Sequence, residues 1–98
     1  MIKVTEKYCI DVDNCYIVQE QKVARSGKNQ GEVVYSNQTY HGTMHEALTN
    51  IIRRIQRDKL KTDGVIDLKD AIKILVDTQN EFSDIVKDLE TVGGKENV

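Results

Sequence analysis

The sequence predicts an α+β fold: a three-stranded antiparallel β-meander followed by two α-helices, the second with coiled-coil-like spacing. Apolar residues recur at every second position up to His41, and at every third or fourth position after Thr43. Polar segments with glycine separate these stretches. Strands followed by helices along the chain are typical of α+β proteins. We therefore expect one α+β domain over residues 1–92 and a disordered tail over 93–98.

The first two strands are predicted from "KYCIDV" and "CYIVQE", which alternate with period two. Asp13 and Asn14 lie between them, and both residue types tolerate the positive φ of a two-residue turn. Such a turn places Val12 opposite Cys15 and Ile10 opposite Ile17. "KVAR" extends the second strand, "SGKNQG" (26–31) is a loop, and "EVVYSNQTYH" (32–41) is the third strand. The face carrying Tyr8, Ile10 and Ile17 is expected to receive the first helix.

The first helix is predicted to begin at Thr43, which forms a capping-box pattern with Glu46. One apolar stripe follows: Met44, Ala47, Leu48, Ile51, Ile52 and Ile55. A second helix begins at Asp67 and ends at Gly93 and Gly94. Its apolar seam steps by three and four residues, as in a coiled coil: Leu68, Ile72, Leu75, Gln79, Phe82, Val86 and Leu89.

The composition and net charge of the chain limit the classes of function that are expected. The chain has 98 residues, a net charge of −2 and no proline, with one Phe and four Tyr. This balance does not indicate general nucleic-acid binding or binding to an anionic membrane. No stretch has the length and apolarity of a transmembrane helix, and the N-terminus lacks the pattern of a secretory signal. We expect a cytoplasmic protein, and a homo-oligomer, because so small a core with few large side chains is thinly stabilised.

Residue types that act in catalysis or bind metals in other proteins, such as Cys and His, are few in this sequence. Cys9 and Cys15 are predicted to lie on opposite faces of the hairpin, as small apolar fillers rather than a disulfide. His41 and His45 match no metal-ligand spacing and are interpreted as structural or exposed. Asp11 and Asp13 are interpreted as turn residues. No catalytic triad, P-loop or dinucleotide motif is present. The sequence therefore predicts a protein that is not an enzyme and carries no metal or cofactor.

The candidate binding residues are cations. "RRIQRDKLK" (53–61) holds five cations and one acid, and Arg53 and Arg57 should project together from one helix, with Arg54 on a flank. Arginine offers a planar fork that grips phosphate through two bonds. A second basic group comprises Lys22, Arg25 and Lys28. The alternative is ion pairing with acids of the second helix: Asp77, Glu81, Asp84 and Asp88.

A resemblance covers roughly residues 7–89. A strand with a central aspartate, a "SGKNQG" loop, a strand ending "YHGT", "EAL" opening a helix and the later "IDLKDAIKILVDTQNEF" occur in the order seen in small phage and prophage proteins. Within that group the chain resembles the anti-Thoeris sponge proteins, which assemble as dimers or larger oligomers. The resemblance implies sequestration of a cyclic ADP-ribose signal without cleavage. The implied ligand requires Arg53, Arg54 and Arg57 for phosphate, and Tyr35, Tyr40 or Phe82 for stacking on the base. Arg25 and Lys28 of the second basic group are further candidate ligand-binding residues.

Two other functions also fit the sequence. Residues 67–90 hold seven acids and three lysines, so this helix could occupy a basic groove on a host protein, as an anti-CRISPR-like inhibitor does. Alternatively, the protein is a structural accessory factor that only self-associates through the seam. Gln79 would then set the register, as a lone polar residue in a coiled-coil core can.

Overall fold

The structure, a computed structural model, describes residues 1–23, 31–61 and 64–96, with side chains described as far as Leu89. The chain divides into two compact units, Met1–Ala47 and Leu48–Val98. The α+β prediction is confirmed. In the described residues the sheet has four antiparallel strands and there are three helices, in place of the predicted three strands and two helices.

The sheet is a meander in the order β1 (Ile2–Lys3), β2 (Tyr8–Val12), β3 (Tyr16–Val23) and β4 (Val33–His41). The unpredicted strand β1 pairs its two residues with Ile10 and Cys9. Thr5 stabilises the turn that follows, because its Oγ1 accepts hydrogen bonds from the backbone N–H groups of Lys7 (3.2 Å) and Tyr8 (3.1 Å). A strand of two residues is too short to show alternation, so sequence period could not reveal it.

The predicted register of the first hairpin was wrong by one residue. Val12 lies opposite Tyr16, and Ile10 lies opposite Val18. The connection therefore contains three residues, Asp13 to Cys15, and the Asp13 N–H donates to the Cys15 carbonyl at 3.1 Å. A one-residue change in register moves every side chain to the other face. Val18 consequently shares the face of Tyr8 and Ile10 that had been predicted for Ile17.

A β-bulge interrupts the pairing of β3 with β4. Val18 lies opposite Thr39, whereas Glu20 lies opposite Ser36, so β4 has one extra residue at this point. Asn37 lies in the bulge with φ of 53°, a left-handed conformation that asparagine tolerates better than most residues. Its Nδ2 donates to a carboxylate oxygen of Glu20. The bulge changes which β4 side chains share a face.

Helix α1 (Met44–Leu60) begins close to the predicted position. Thr43 Oγ1 accepts a hydrogen bond from the Glu46 N–H at 3.1 Å. The Glu46 carboxylate reaches back to the N–H of Gly42 at 3.2 Å, one residue before the donor that a capping box uses. Four stripe residues of α1 are buried: Ala47, Leu48, Ile51 and Ile52. The predicted apolar stripe therefore matches the buried side of this helix.

The predicted second helix is two helices, α2 (Leu68–Glu81) and α3 (Ser83–Glu96). The helical backbone is interrupted at Phe82, with φ of −105° and ψ of 2°, and the Ser83 hydroxyl donates to the Asn80 carbonyl at 2.9 Å. Helix α3 continues to Glu96, past the two glycines that were predicted to end it. Residues 97–98 of the predicted tail lie outside the described part of the chain.

Buried side chains occur in both units. In the first unit the consecutive residues Tyr8, Cys9 and Ile10 of β2 are all buried. Val18 and Gln19 on β3 are buried with them. In the second unit Thr78 is buried, and its hydroxyl donates to the Ile74 carbonyl at 2.8 Å. The hydroxyl is thereby satisfied within its own helix.

Candidate functional site

Arg53 and Arg57 lie on the exposed side of α1, one helical turn apart. Lys61 follows at the next four-residue step and is also exposed. These three residues are referred to below as the cation row. None of their side chains forms a hydrogen bond or an ion pair within the part of the chain that the structure describes. Three like charges on one side of a helix can attract an anion, and two arginines can grip it through planar forks.

Arg54 does not belong to this row. Its side chain is buried, with 9% exposure, and Nε donates to Asn50 Oδ1 at 2.8 Å. This bond satisfies one donor of the guanidinium, whereas its Nη1 nitrogen is buried with no hydrogen-bond partner among the described residues. Of the three predicted arginines, the structure brings Arg53 and Arg57 together on the surface and places Arg54 among the buried residues of α1.

The contact between α1 and α2 uses other residues. Lys59 Nζ lies 3.1 Å from Glu81 Oε1, an ion pair between α1 and α2. Gln56 Nε2 donates to the Leu75 carbonyl at 2.9 Å. The sequence offered ion pairing with acids of the second helix as the alternative to an anion site. In the structure the residue that pairs with Glu81 is a lysine, Lys59, rather than an arginine. The arginines of the cation row remain available for a ligand.

The predicted stacking residues fall in different units. Tyr35 and Tyr40 lie on β4 in the first unit, with exposures of 41% and 65%, and Phe82 lies half-buried between α2 and α3 in the second. Of the predicted stacking residues, Phe82 is the one that lies in the same unit as the cation row.

The β4 bulge puts Tyr35 and Tyr40 on one face of the sheet. They lie opposite Gln21 and Ile17, which are four residues apart on β3 and so point to the same side. The tyrosines are five positions apart in sequence, so without the extra residue they would lie on opposite faces. Sequence period alone missed this pairing, and the polar "SNQ" within an otherwise apolar strand was the available signal of a bulge.

Between the two tyrosines, the same face carries a pair of amide side chains. Gln38 Nε2 donates to Gln19 Oε1 at 2.8 Å, and Gln19 is buried with 3% exposure. A buried amide with a satisfied oxygen fixes the local arrangement of β3 and β4. It separates the tyrosine rings, so this face offers two aromatic surfaces rather than one continuous stack.

The second predicted basic group is only partly described. Lys22 is exposed on β3, and Arg25 and Lys28 lie outside the described residues.

The two histidines, His41 and His45, do not belong to a metal-binding cluster. Among the described residues no group of three or more His, Cys, Asp or Glu is placed to hold a metal ion. His41 Nε2 instead lies 2.9 Å from the Thr39 hydroxyl.

The two cysteines are free thiols in different environments. Cys9 is buried in β2, whereas Cys15 lies half-buried in the turn. Burial raises the pKa of the Cys9 thiol; a hydrogen bond with Gln19 opposes this in part, and the negative charge of Asp11 adds to the increase. A buried thiol with a raised pKa is a poor nucleophile. Its environment is that of the apolar filler predicted from the sequence.

No protein-family model, no curated protein and no solved structure matches this chain. None of the helices in the described part of the chain combines the length and the apolar character that crossing a bilayer requires. Among the described residues, the cation row is the feature with the clearest ligand chemistry.

Proposed function

We propose that this protein binds a phosphate-bearing nucleotide of the cyclic ADP-ribose type through Arg53 and Arg57 and holds it without cleaving it, as a phage anti-defence protein. The observation that supports a ligand is the cation row: two arginines and a lysine, exposed and without ion pairs among the described residues. The resemblance to sponge proteins supplies the ligand class and the role in immune evasion.

The spacing of the row suits a ligand with two phosphates. Residues four apart are about 6 Å apart along a helix axis, a gap that long arginine side chains can close around a diphosphate. Like charges at this spacing destabilise a helix by about 0.2–0.5 kcal/mol per pair. A bound anion would remove this repulsion, and its bidentate bonds to arginine would add to the stabilisation.

The direct test is uptake and release. The purified protein is mixed with cyclic ADP-ribose, the free ligand is measured after filtration, and the protein is then denatured by heat. We expect the ligand to disappear from the filtrate and to return with unchanged mass. Release of a cleaved product would indicate an enzyme, and absence of uptake would contradict binding of this nucleotide.

Arg57→Ala tests the site because it should lower ligand affinity and raise the free energy of unfolding, two effects of opposite direction. We expect ligand affinity to fall by roughly one to two powers of ten, because a bidentate phosphate contact is lost. The free energy of unfolding without ligand should rise slightly, because Arg57 repels both Arg53 and Lys61. Arg57→Lys should recover only part of the affinity, since a point charge cannot reproduce the fork.

Titration calorimetry and urea unfolding on the same preparations provide both measurements. Lys3→Ala is the matched control, because Lys3 is an exposed cation on β1, outside both predicted basic groups, and its loss should leave affinity unchanged. Normal affinity in Arg57→Ala would show that the row is a solvated surface. A decrease in affinity in both variants would indicate general attraction to charge rather than a site.

A further inference from the structure

The first half of α2 exposes an apolar surface. Leu68, Ile72 and Val76 recur at four-residue steps and are 75%, 49% and 50% exposed; they are referred to below as the apolar row. Val65, three positions before the first residue of the helix, is fully exposed. Contacts from α1 reach α2 at Leu75 and Glu81, in its second half. Large exposed apolar residues clustered on one side of a helix mark an interaction surface.

A charged row runs beside the apolar row on the same helix. Lys69, Lys73 and Asp77 also follow at four-residue steps, each one position after a member of the apolar row. All three are exposed, and none of their side chains has a hydrogen bond or ion pair within the described residues. The charge of this row is therefore positive toward the start of the helix and negative toward its end.

The apolar and charged rows of α2 complement the same rows of a second α2 that runs in the opposite direction. Consider a second copy whose α2 lies antiparallel, with the two-fold axis midway between Ile72 and Val76. Ile72 of each copy then lies near Val76 of the other. Asp77 of each copy lies at the level of position 71 of the other, midway along the axis between Lys69 and Lys73. A two-fold interface repeats each such contact twice.

We propose that the apolar row of α2 is a homodimer interface, in which two copies pair antiparallel and Asp77 of each copy is held between Lys69 and Lys73 of the other. The charges favour this occupant over an anionic lipid surface. Asp67, Asp70 and Asp77 outnumber the two lysines from residue 65 to 79, so an anionic membrane would be repelled. The interface does not depend on the proposed nucleotide ligand.

Complementary charge variants test the pairing. In Asp77→Lys, each new lysine would lie between two lysines of the other copy. In the double variant Lys69→Glu with Lys73→Glu, each Asp77 would lie between two glutamates. We expect the dimer dissociation constant of each variant alone to rise at least about tenfold. Mixing the two should restore a heterodimer of nearly native affinity, because every contact is then between opposite charges.

Sedimentation velocity over a dilution series measures these affinities. Ile72→Glu should give a monomer, and Ile85→Glu is the matched control, since Ile85 is 52% exposed but lies on α3, outside the apolar row. Circular dichroism establishes that each variant is folded. A wild-type monomer at every concentration would overturn the proposal. A dimer that is indifferent to Ile72→Glu, or charge variants that fail to rescue each other, would overturn it as well.

Discussion

Cys9 illustrates how burial alters the chemistry of a single residue. Its side chain is 1% exposed, and burial raises the pKa of the thiol. Between the pKa of the unfolded chain, about 8.5 for a thiol, and the raised value of the folded protein, the unfolded state has lost the proton and the folded state has kept it. Raising the pH through this window therefore lowers the free energy of unfolding.

Urea unfolding from neutral pH to about pH 9.5 checks this sign. We expect no contribution from Cys9 below the ordinary thiol pKa and a progressive loss of stability above it. The loss attributable to Cys9 should be absent in Cys9→Ala and retained in Cys15→Ala, whose thiol lies half-buried in the turn. An identical pH dependence in wild type and Cys9→Ala would contradict the prediction.

The arginines show how far residue type alone could predict the site. Helical spacing was enough to predict that Arg53 and Arg57 share the exposed side of α1. It could not show that Arg54, one position along, is buried and bonded to Asn50. Positions at the edge of an apolar stripe can be buried or exposed, and tertiary contacts decide which.

Elements with a strong period were predicted well, and their connections were not. The cap at Thr43 and the stripe of α1 followed from the sequence. The first hairpin was wrong by one residue, because Asp13 and Asn14 suit both a two-residue turn and the three-residue loop that is present. The interruption at Phe82 has neither proline nor glycine to announce it, so one continuous seam was predicted where two helices exist.

The β4 bulge yields a prediction about that strand. Asn37 has φ of 53° and bonds to Glu20. A left-handed backbone costs most residues roughly 1–2 kcal/mol, and a β-branched side chain suits it least. We expect Asn37→Val to lower the free energy of unfolding by about 2 kcal/mol, which combines this strain with the lost hydrogen bond. Asn37→Gly should cost less, because glycine adopts positive φ freely.

Urea unfolding of both variants measures the difference. Ser36→Val is the control for this strand, because Ser36 precedes the bulge and its φ is not positive; a β-branched residue there suits an extended backbone. If Asn37→Val and Asn37→Gly were equally stable, the positive φ would not determine the residue at this position. The tyrosines would then share a face for another reason.

At the scale of the whole chain, charge and apolar surface are concentrated on different helices. The cation row lies on α1 and the apolar row on α2. Composition predicted a small core that self-association could stabilise, and the coiled-coil spacing of residues 68–89 predicted that this segment would supply the associating surface. The spacing could not predict which side of α2 remains exposed, because that depends on where α1 makes its contacts.

A homodimer through the apolar row makes thermal stability depend on protein concentration. When folded chains associate and unfolded chains do not, mass action stabilises the folded state as concentration rises. For a domain of about 100 residues, a tenfold increase in concentration should raise the Tm by a few degrees. Ile72→Glu should remove this dependence and leave a Tm equal to that of the wild type at high dilution. Scanning calorimetry over a concentration series measures both. A wild-type Tm that is constant with concentration would indicate that Leu68, Ile72 and Val76 remain exposed in the native protein.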